Sequence, residues 1–236
     1  LHSIRHHLTK SILPALAEHR IPVVWTLHDF KELCPNTSFF DGHKVCEKCK
    51  HGKFAHVIVN RCKKGSYKAS IATYLETLAN NRSIYNSYVA RYIAPSYFLR
   101  QKFIEYGYEP HRIIHLPNFL DTSAFAPSYE YNDDFIYIGR LENGKGLETL
   151  IRGFARFQLY NRDVNLKIVG DGTLRSDLGQ LVESMQIHNI EFTGFLRNEE
   201  LESVIRQAKA VIIPSELYEN YPYSCLEAMA YGKPVI

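Results

Sequence analysis

Two carboxylates, Glu219 and Glu227, stand eight positions apart around a predicted strand-to-helix turn. Pro222 suits the first helical position, because its fixed φ fits a helix start and its missing N–H has no helical partner to lose. The amides of Tyr223 and Ser224 then remain free to meet a phosphate at the helix N-terminus. Glu227, one turn further on, is placed to accept hydrogen bonds from two hydroxyls of a ribose. The turn therefore predicts a site for a phosphorylated, hydroxyl-rich ligand, although either Glu alone could be a solvated charge.

A glycine-rich segment with two cations, residues 139–146, joins an earlier predicted strand to its helix. Glycines such as Gly139 let the backbone approach a phosphate, and the helix end supplies N–H donors. Arg140 and Lys145 can neutralise the charge of a diphosphate. The Gly-Asp-Gly turn at residues 170–172 can pass close to the same ligand. The spacing matches neither a triphosphate-binding P-loop nor a dinucleotide fingerprint, so neither a metal-held triphosphate nor NAD is implied. A glycine turn with solvated charges is the alternative.

A separate group of four cysteines has the spacing C-x11-C-x2-C-x12-C and consists of Cys34, Cys46, Cys49 and Cys62. Four thiolates with a central C-x-x-C can bind a structural zinc ion in tetrahedral geometry. The segment has too few large apolar residues for a core of its own, so a cross-link would stabilise it. Reduced thiols without a metal, and disulfides, are the alternatives. Cys225 stands alone in a predicted helix and is expected to pack against its neighbours.

Composition divides the chain into two halves. The 236 residues carry a net charge of +3 with 45% hydrophobic residues, which is typical of a soluble globular α/β protein. Residues 1–117 carry +9 and residues 118–236 carry −6. We therefore expect an N-terminal domain at residues 1–117, with a Cys-rich insertion at residues 34–66, and a C-terminal domain at residues 118–236.

No apolar run approaches the ~20 residues needed to span a bilayer, and no signal peptide opens the chain. We expect a cytoplasmic protein. The basic first half leaves open a peripheral contact with the cytoplasmic face of a membrane, against the alternative of a solvated basic face. Both ends of the chain are expected to be truncated.

Predicted strands and helices alternate along the second half. This regular β-α-β order predicts a doubly wound parallel sheet, in which ligands bind at the carboxyl ends of strands. Each motif above follows such a strand. In the first half, the strand at residues 22–27 leads to His28, and a helix is predicted at residues 66–88. In the second half, strands are predicted at 135–138, 166–169, 190–192, 210–213 and from 234, and helices at 147–160, 174–185, 198–207 and 222–231.

Taken in order, these motifs resemble those of the GT-B glycosyltransferases, most closely the retaining family 4 enzymes (glycosyltransferase group 1). The resemblance implies an α/β fold of two Rossmann-like, doubly wound parallel-sheet domains facing a cleft. The residues that carry it are Thr26-Leu-His-Asp29, Ala94-Pro-Ser96, Pro117-Asn118, Gly139-Arg-Leu with Lys145-Gly146, Val169-Gly-Asp-Gly172, Pro214-Ser215, Glu219 and Glu227-Ala228.

The resemblance also implies a function: transfer of a sugar, with retention, from a nucleotide diphosphate-sugar to a saccharide or lipid-linked acceptor, in cell-surface polysaccharide or glycoconjugate synthesis and without a catalytic metal. Arg140 and Lys145 would bind the diphosphate and stabilise it as a leaving group. Glu219 and His28 would contact the transferred sugar, and Glu227 would bind the ribose. The implied donor-binding residues are Gly139, Gly170, Asp171, Gly172, Tyr223, Ser224 and Glu227.

Two departures from the family pattern concern ligand placement. Pro222 occupies a position where many relatives have glycine, so this residue cannot donate an amide to phosphate. The glycine-rich loop that relatives place after their first strand is absent from the sequence. The donor is therefore expected to lie slightly differently, and part of the acceptor site to be missing.

Two alternatives belong to other classes of function. One is a zinc-containing nucleic-acid-binding protein with the basic half as its footprint. It leaves Arg140, Lys145 and Glu227 without a role, so we expect no nucleic-acid partner. The other is a nucleotide-sugar-binding domain that has lost activity, against which the intact set of site residues argues.

Overall fold

The computed structural model describes residues 1–2, 9–80 and 82–236. Their contacts divide the chain into two compact units. The first unit comprises Leu1–Asn118 together with Leu217–Tyr221, and the second comprises Phe119–Glu216 together with Pro222–Ile236. The segment Leu217–Tyr221 thus groups with the first unit, although its place in the sequence is within the expected second domain.

The first unit is an α/β structure around a parallel sheet. Its strands are in the order β1-β2-β3, and Tyr92 is aligned with Ile113 across the second pair. In chain order the elements are α1 (Ile12–Glu18), β1 (Val23–Thr26), a 3-10 helix (Lys50–Gly52), α2 (His56–Val59), α3 (Tyr67–Ala79), α4 (Arg82–Asn86), β2 (Val89–Ala94), α5 (Tyr97–Glu105), a 3-10 turn (Pro110–Arg112) and β3 (Ile113–His115).

Local sequence explains where these elements begin and which side they bury. Ser96 caps α5, because its Oγ accepts a hydrogen bond of 3.0 Å from the Leu99 amide. Leu99 and Phe103 of this helix are fully buried, and such burial stabilises a fold by about 1.5–3 kcal/mol per side chain. Residues 66–88, predicted as one helix, form α3 and α4 instead. Asn80 ends α3, and position 81 lies outside the described residues.

The second unit contains a parallel four-stranded sheet in the order β6-β5-β4-β7. Ile136 at the centre of β4 has no exposed surface, as the middle of a sheet covered on both faces requires. The elements are a 3-10 turn (Thr122–Ala124), β4 (Asp134–Ile138), α6 (Leu147–Gln158), β5 (Asn165–Val169), α7 (Arg175–Ser184), β6 (Ile190–Gly194), α8 (Asn198–Gln207), β7 (Ala210–Val211) and α9 (Tyr223–Ala230).

The strand expected at residues 210–213 is shorter in the structure, but its pairing continues. The Ile212 amide donates to Ile136 O at 2.8 Å, and the Ile213 amide donates to Ile236 O at 2.8 Å. Pro214 follows and has no N–H to donate. Val235 forms a parallel bridge with Val211, where the sequence predicts a further strand from residue 234.

Candidate functional site

The loops after β4, β5 and β7 pack against one another at one edge of the second unit's sheet. All strands of this sheet run parallel, so their carboxyl ends lie at the same edge. The Gly139 amide donates to Val169 O at 3.0 Å, and the Leu141 amide donates to Asp171 O at 2.9 Å. The structure therefore brings the predicted segments 139–146 and 170–172 together through their backbones.

Glycines make this close approach possible. A Cβ added at Gly170 would lie 2.0 Å from Gly139 O, and one at Gly172 would lie 2.4 Å from Leu141 O. Gly170 also has a φ of +131°, which side-chain-bearing residues rarely adopt. No larger residue fits at these points without moving the neighbouring backbone.

The same loop makes an equally close contact with the chain that follows β7. Gly146 has a φ of +68°, and a Cβ there would lie 1.8 Å from Pro214 O. The Glu216 amide donates to Gly144 O at 2.9 Å, and Glu216 also accepts a hydrogen bond from the Thr149 hydroxyl of α6. The C-terminal end of the loop 139–146 is therefore held both by packing against Pro214 and by hydrogen bonding to Glu216.

Both predicted cations lie in this loop, close in sequence to the N-terminus of α6. Arg140 is exposed and Lys145 is half-buried, and Gly146 is the N-cap of the helix. A helix N-terminus carries a partial positive charge and unpaired N–H groups. Cations and a helix start at one edge of a sheet are elements of an anion site.

Helix α9 begins one residue later than the sequence indicates. Pro222 has φ −67° and ψ 134°, so it is the extended N-cap rather than the first helical residue. Tyr223 and Ser224 therefore occupy the first two helical positions, where backbone N–H groups lack helical acceptors. Glu227 lies one turn in and is half-buried, and this burial raises the pKa of its carboxyl.

In the first unit, His28 lies two residues after the end of β1. His28 Nε2 lies 2.8 Å from His2 Nδ1, and the two rings stack with centroids 5.1 Å apart. Burial, followed by the charge of His2, lowers the pKa of His28. The neutral imidazole, which can both donate and accept a hydrogen bond, is favoured at this position.

Glu219 belongs to the first unit, with His28, whereas Glu227 belongs to the second. The segment Leu217–Tyr221 is attached to the first unit by side-chain contacts on either side of Glu219. Asn220 Nδ2 donates to Leu27 O at 3.1 Å, which attaches the segment to the residue before His28.

Tyr218 makes the contacts on the other side of Glu219. Its hydroxyl donates to Glu47 Oε1 at 2.9 Å, and its ring packs edge-on against Phe98 with centroids 4.7 Å apart. Glu47 also pairs with Lys102 at 2.9 Å, and this pairing lowers the pKa of Glu47 against the opposing effect of burial. The Tyr218 ring therefore packs on α5 while its hydroxyl contacts the Cys-rich segment.

Sequence reasoning missed Tyr218, Asn220 and their partners. Asn220 also contacts Ser96, where the two side-chain oxygens lie 3.1 Å apart, and Asn118 Nδ2 donates to Tyr221 O at 3.0 Å. These pairs are separated by 124 and 103 positions. The polar run Glu-Asn-Tyr-Pro was the signal available in the sequence, but it does not indicate which distant residues contact it.

The four predicted cysteine ligands line one small cavity of about 10 Å³ in the first unit. Burial, followed by the charges of Cys34 and Cys62, raises the pKa of Cys49 to about 12. Burial, with Cys34 and Cys46 next in effect, raises the pKa of Cys62 to about 11. As the side chains stand, the described residues contain no group of three or more His, Cys, Asp or Glu in metal-binding geometry.

A cavity elsewhere in the second unit contains none of the predicted site residues. It has a volume of about 600 Å³ and is lined by residues of α8 and of the chain before β4, among them Glu130, Glu199 and Arg206. In the described parts of the chain, no helix combines the length and the apolar character needed to cross a membrane.

Solved structures share the fold. HepE of Anabaena, in complex with UDP and glucose, matches 96% of this chain and 56% of its own with a TM-score of 0.65 and 19% identity. The lipopolysaccharide outer core galactosyltransferase WaaB, in its apo form, matches 95% of this chain and 58% of its own with a TM-score of 0.57 and 18% identity. The chain has the α/β fold with parallel sheets that GT-B glycosyltransferases have.

The sequence comparisons agree with this fold. Residues 121–236, just under half of the chain, match the family model described as glycosyl transferases group 1. "Uncharacterized glycosyltransferase MJ1607" of Methanocaldococcus jannaschii is 35% identical over 116 residues, 48% of this chain and 29% of the relative. "Uncharacterized glycosyltransferase MJ1059" of the same organism is 26% identical over 219 residues, 92% of this chain and 51% of the relative.

A relative with a named activity is the alpha-D-kanosaminyltransferase of Streptomyces kanamyceticus. It is 29% identical over 137 residues, 53% of this chain and 35% of the relative. The chain spans about half the length, or less, of these curated relatives.

Proposed function

We propose that the protein is a glycosyltransferase that moves a sugar from a nucleotide diphosphate-sugar to a saccharide or lipid-linked acceptor. The observation that carries the proposal is the sheet edge of the second unit, where glycine contacts hold together the loops after β4, β5 and β7. WaaB, MJ1607, MJ1059 and the kanosaminyltransferase, which are named as glycosyltransferases, support the same proposal. HepE was solved with UDP, so a uridine nucleotide is the first donor to test.

In this proposal Arg140 and Lys145 bind the donor diphosphate. Cleavage of a glycosyl–phosphate bond leaves negative charge on the diphosphate and builds positive charge on the sugar. Cations fixed beside the leaving group stabilise that transition state more than the ground state. The partial charge at the start of α6 acts in the same direction. We propose that these side chains, without a catalytic metal ion, neutralise the leaving group.

We propose that backbone and carboxylate groups of the second unit bind the nucleoside and the phosphates. Gly139, Gly170 and Gly172 allow close packing at the sheet edge where the donor is proposed to bind, and Asp171 lies in the turn between the last two. The Tyr223 and Ser224 amides donate to phosphate. Glu227 accepts hydrogen bonds from the ribose hydroxyls, for which its carboxyl must be ionised.

His28 and Glu219 of the first unit are proposed to act on the transferred sugar. A carboxylate accepts hydrogen bonds from sugar hydroxyls, and a neutral imidazole accepts at one nitrogen while donating at the other. Because the pKa of His28 is lowered, its imidazole remains neutral at neutral pH. We further propose that transfer retains the anomeric configuration, as in family 4 enzymes, and that the product is part of a cell-surface polysaccharide or glycoconjugate.

The test is a donor screen with the full-length protein. Purified enzyme is incubated with UDP-, GDP- and ADP-sugars and a panel of saccharide and polyprenyl-phosphate acceptors. Nucleotide release and the anomeric configuration of the product are followed by NMR. We expect one donor to be consumed with retention. Donor binding without turnover would instead support the inactive binding domain, and an inverted product would contradict the family 4 assignment.

A further inference from the structure

The Cys-rich segment, residues 34–66, brings its four cysteines to one cavity although they are spread along the segment. Cys34 and Cys49 are buried, Cys46 and Cys62 are partly buried, and none forms a disulfide. His56 and Asn60 line the same cavity. Cys225, on α9 of the second unit, is not among its lining residues.

This segment has little regular structure, although its side chains Phe39, Phe40 and Val57 are buried. Its regular structure is limited to the 3-10 helix Lys50–Gly52 and the four-residue helix His56–Val59. Several side-chain-bearing residues have a positive φ, a conformation of order 1–3 kcal/mol above the usual one. These are Thr37, Phe39, His51, Arg61 and Lys64. Strain of this kind persists only where surrounding contacts fix the backbone. Residues from along the whole segment meet at the cysteine cavity, so contacts there can supply that restraint.

Hydrogen-bond donors point at the sulfur atoms. The Cys34 sulfur accepts from the backbone amides of Phe39, Asn36 and Ser38. The Cys46 sulfur accepts from Asn60 Nδ2 at 3.7 Å. Donors of this kind can stabilise the charge of metal-bound thiolates, whereas a disulfide sulfur carries no charge for them to stabilise.

The Cys49 sulfur also accepts a hydrogen bond, from the Val57 amide. Donors thus converge on sulfurs of a single cavity. Burial opposes ionisation of these thiols, and a cation bound among the sulfurs would reverse that effect. Four cysteines around one cavity suit a positive ion that binds sulfur.

We propose that Cys34, Cys46, Cys49 and Cys62 bind one zinc ion as a closed structural site. Zinc accepts four thiolates in tetrahedral geometry at Zn–S distances of about 2.3 Å. The sulfurs already line one cavity, and side-chain rotation would close them on the ion with release of the thiol protons. The site leaves no position open for catalysis.

A zinc ion at this site would help to fix the position of Glu219, the residue proposed to contact the sugar. Glu47 lies between Cys46 and Cys49 in sequence, and it accepts the hydrogen bond from the Tyr218 hydroxyl. Tyr218 precedes Glu219. Metal binding would therefore fix Glu47, and through Tyr218 it would fix the segment that carries Glu219. The zinc ion acts as a positioning element here, not as a reactant.

The experiment measures metal content in the full-length protein purified without added metal or chelator. We expect one zinc per chain by mass spectrometry, its loss in the double variant Cys46→Ser/Cys49→Ser, and its retention in the control Cys225→Ser. Alkylation in denaturant with chelator but without reductant is expected to label all five cysteines. Nucleotide binding is expected to remain in the double variant, which separates this proposal from the proposed function.

A milder variant and a metal probe keep the test decisive if the double variant does not fold. Asn60→Ala removes the donor to Cys46 and is expected to weaken zinc binding about 10-fold in chelator competition, with stoichiometry unchanged. Cobalt(II) added to wild-type protein stripped of metal is expected to show sulfur-to-cobalt charge-transfer absorption. Fewer than five labelled cysteines, iron in place of zinc, or no thiolate–cobalt absorption would overturn the proposal.

Discussion

The two units build their candidate sites by different means. In the second unit, backbone contacts between strand-end loops form the site, and glycines at residues 139, 146, 170 and 172 permit contacts that a single Cβ would block. In the first unit, side chains distant in sequence hold Glu219 in place, through Tyr218, Asn220 and Glu47. A backbone-built site tolerates few substitutions, whereas a side-chain network loses about one hydrogen bond at a time. The predictions below test that difference.

The largest effect is expected on turnover when a cation proposed to bind the diphosphate is removed. Arg140→Ala should lower the rate of sugar transfer about 100- to 1,000-fold, because one electrostatic contact to a developing charge is worth roughly 3–4 kcal/mol. Steady-state kinetics with the identified donor measure it. Arg152→Ala is the control, since Arg152 is exposed on α6 and pairs with Glu148 in the same helix. A similar loss in both variants would contradict the assigned role of Arg140.

The next effect is on folding of the second unit. Gly146→Ala should destabilise the protein by about 3 kcal/mol, because the left-handed backbone and the contact with Pro214 O both oppose a Cβ. Gly153→Ala, within α6 and with nothing near the added Cβ, should be neutral or stabilise by about 1 kcal/mol. Urea denaturation compares the two. Equal stability of the variants would show that the loop contacts are not tight.

Nucleotide affinity should fall about 10-fold or more in Glu227→Gln, because hydrogen bonds to a charged acceptor are worth about 1.5–3 kcal/mol. Exposed Glu183→Gln on α7 is the control for calorimetric titration. Burial raises the pKa of Glu227, so the folded protein binds this proton more readily than the unfolded chain does.

It follows that the ionised carboxyl of Glu227 opposes folding at neutral pH and that this penalty is relieved as pH falls. Glu227→Gln should therefore stabilise the ligand-free protein at neutral pH while weakening nucleotide binding. In the wild type, affinity should decline with falling pH at a higher pH than for an ordinary glutamate. Unchanged affinity in the variant would remove Glu227 from the ribose site.

A smaller effect is expected in the side-chain network of the first unit. Tyr218→Phe keeps the ring packing and removes the hydrogen bond to Glu47, worth about 1 kcal/mol. We expect roughly a five-fold loss in kcat/KM for the donor with nucleotide affinity unchanged, since the proposed nucleotide contacts lie in the second unit. Tyr160→Phe, at an 88% exposed position, is the control. A loss of nucleotide affinity in Tyr218→Phe would contradict this division between units.

The smallest effect concerns the protonation of His28. Its pKa should lie below the ordinary value of 6.5, and His2→Ala should raise it by removing a neighbouring positive charge. NMR titration of the imidazole measures both. Turnover should decline as pH falls through the lowered pKa, because the protonated ring cannot accept a hydrogen bond. An unchanged pKa in His2→Ala would show that burial alone sets it.

The sequence allowed the positions of the loops at the second unit's candidate site to be predicted. Glycines and strand-helix alternation are local signals, and residues 139–146 and 170–172 lie at the strand ends where the pattern predicts them. Helix α8 was predicted with its observed bounds, 198–207. The start of α9 was misplaced by one residue, because Pro222 can occupy either an N-cap or a first helical position with the same φ.

The first unit was harder to predict because its contacts are not local. Nothing near Asn220 indicates that it donates to Leu27 O, 193 positions away in the chain. Four cysteines in one segment were a visible signal, and the structure places them around one cavity. The grouping of Leu217–Tyr221 with the first unit had no sequence signal, since the flanking chain belongs to the second.

The most direct test of the central claim is calorimetric titration of the full-length protein with a nucleoside diphosphate, the matching monophosphate and the nucleoside. The account predicts that the β-phosphate adds affinity in the wild type and in Arg152→Ala, and that this gain disappears in the double variant Arg140→Ala/Lys145→Ala. Binding by none of the uridine, guanosine and adenosine nucleotides, or a β-phosphate gain that survives in the double variant, would contradict it.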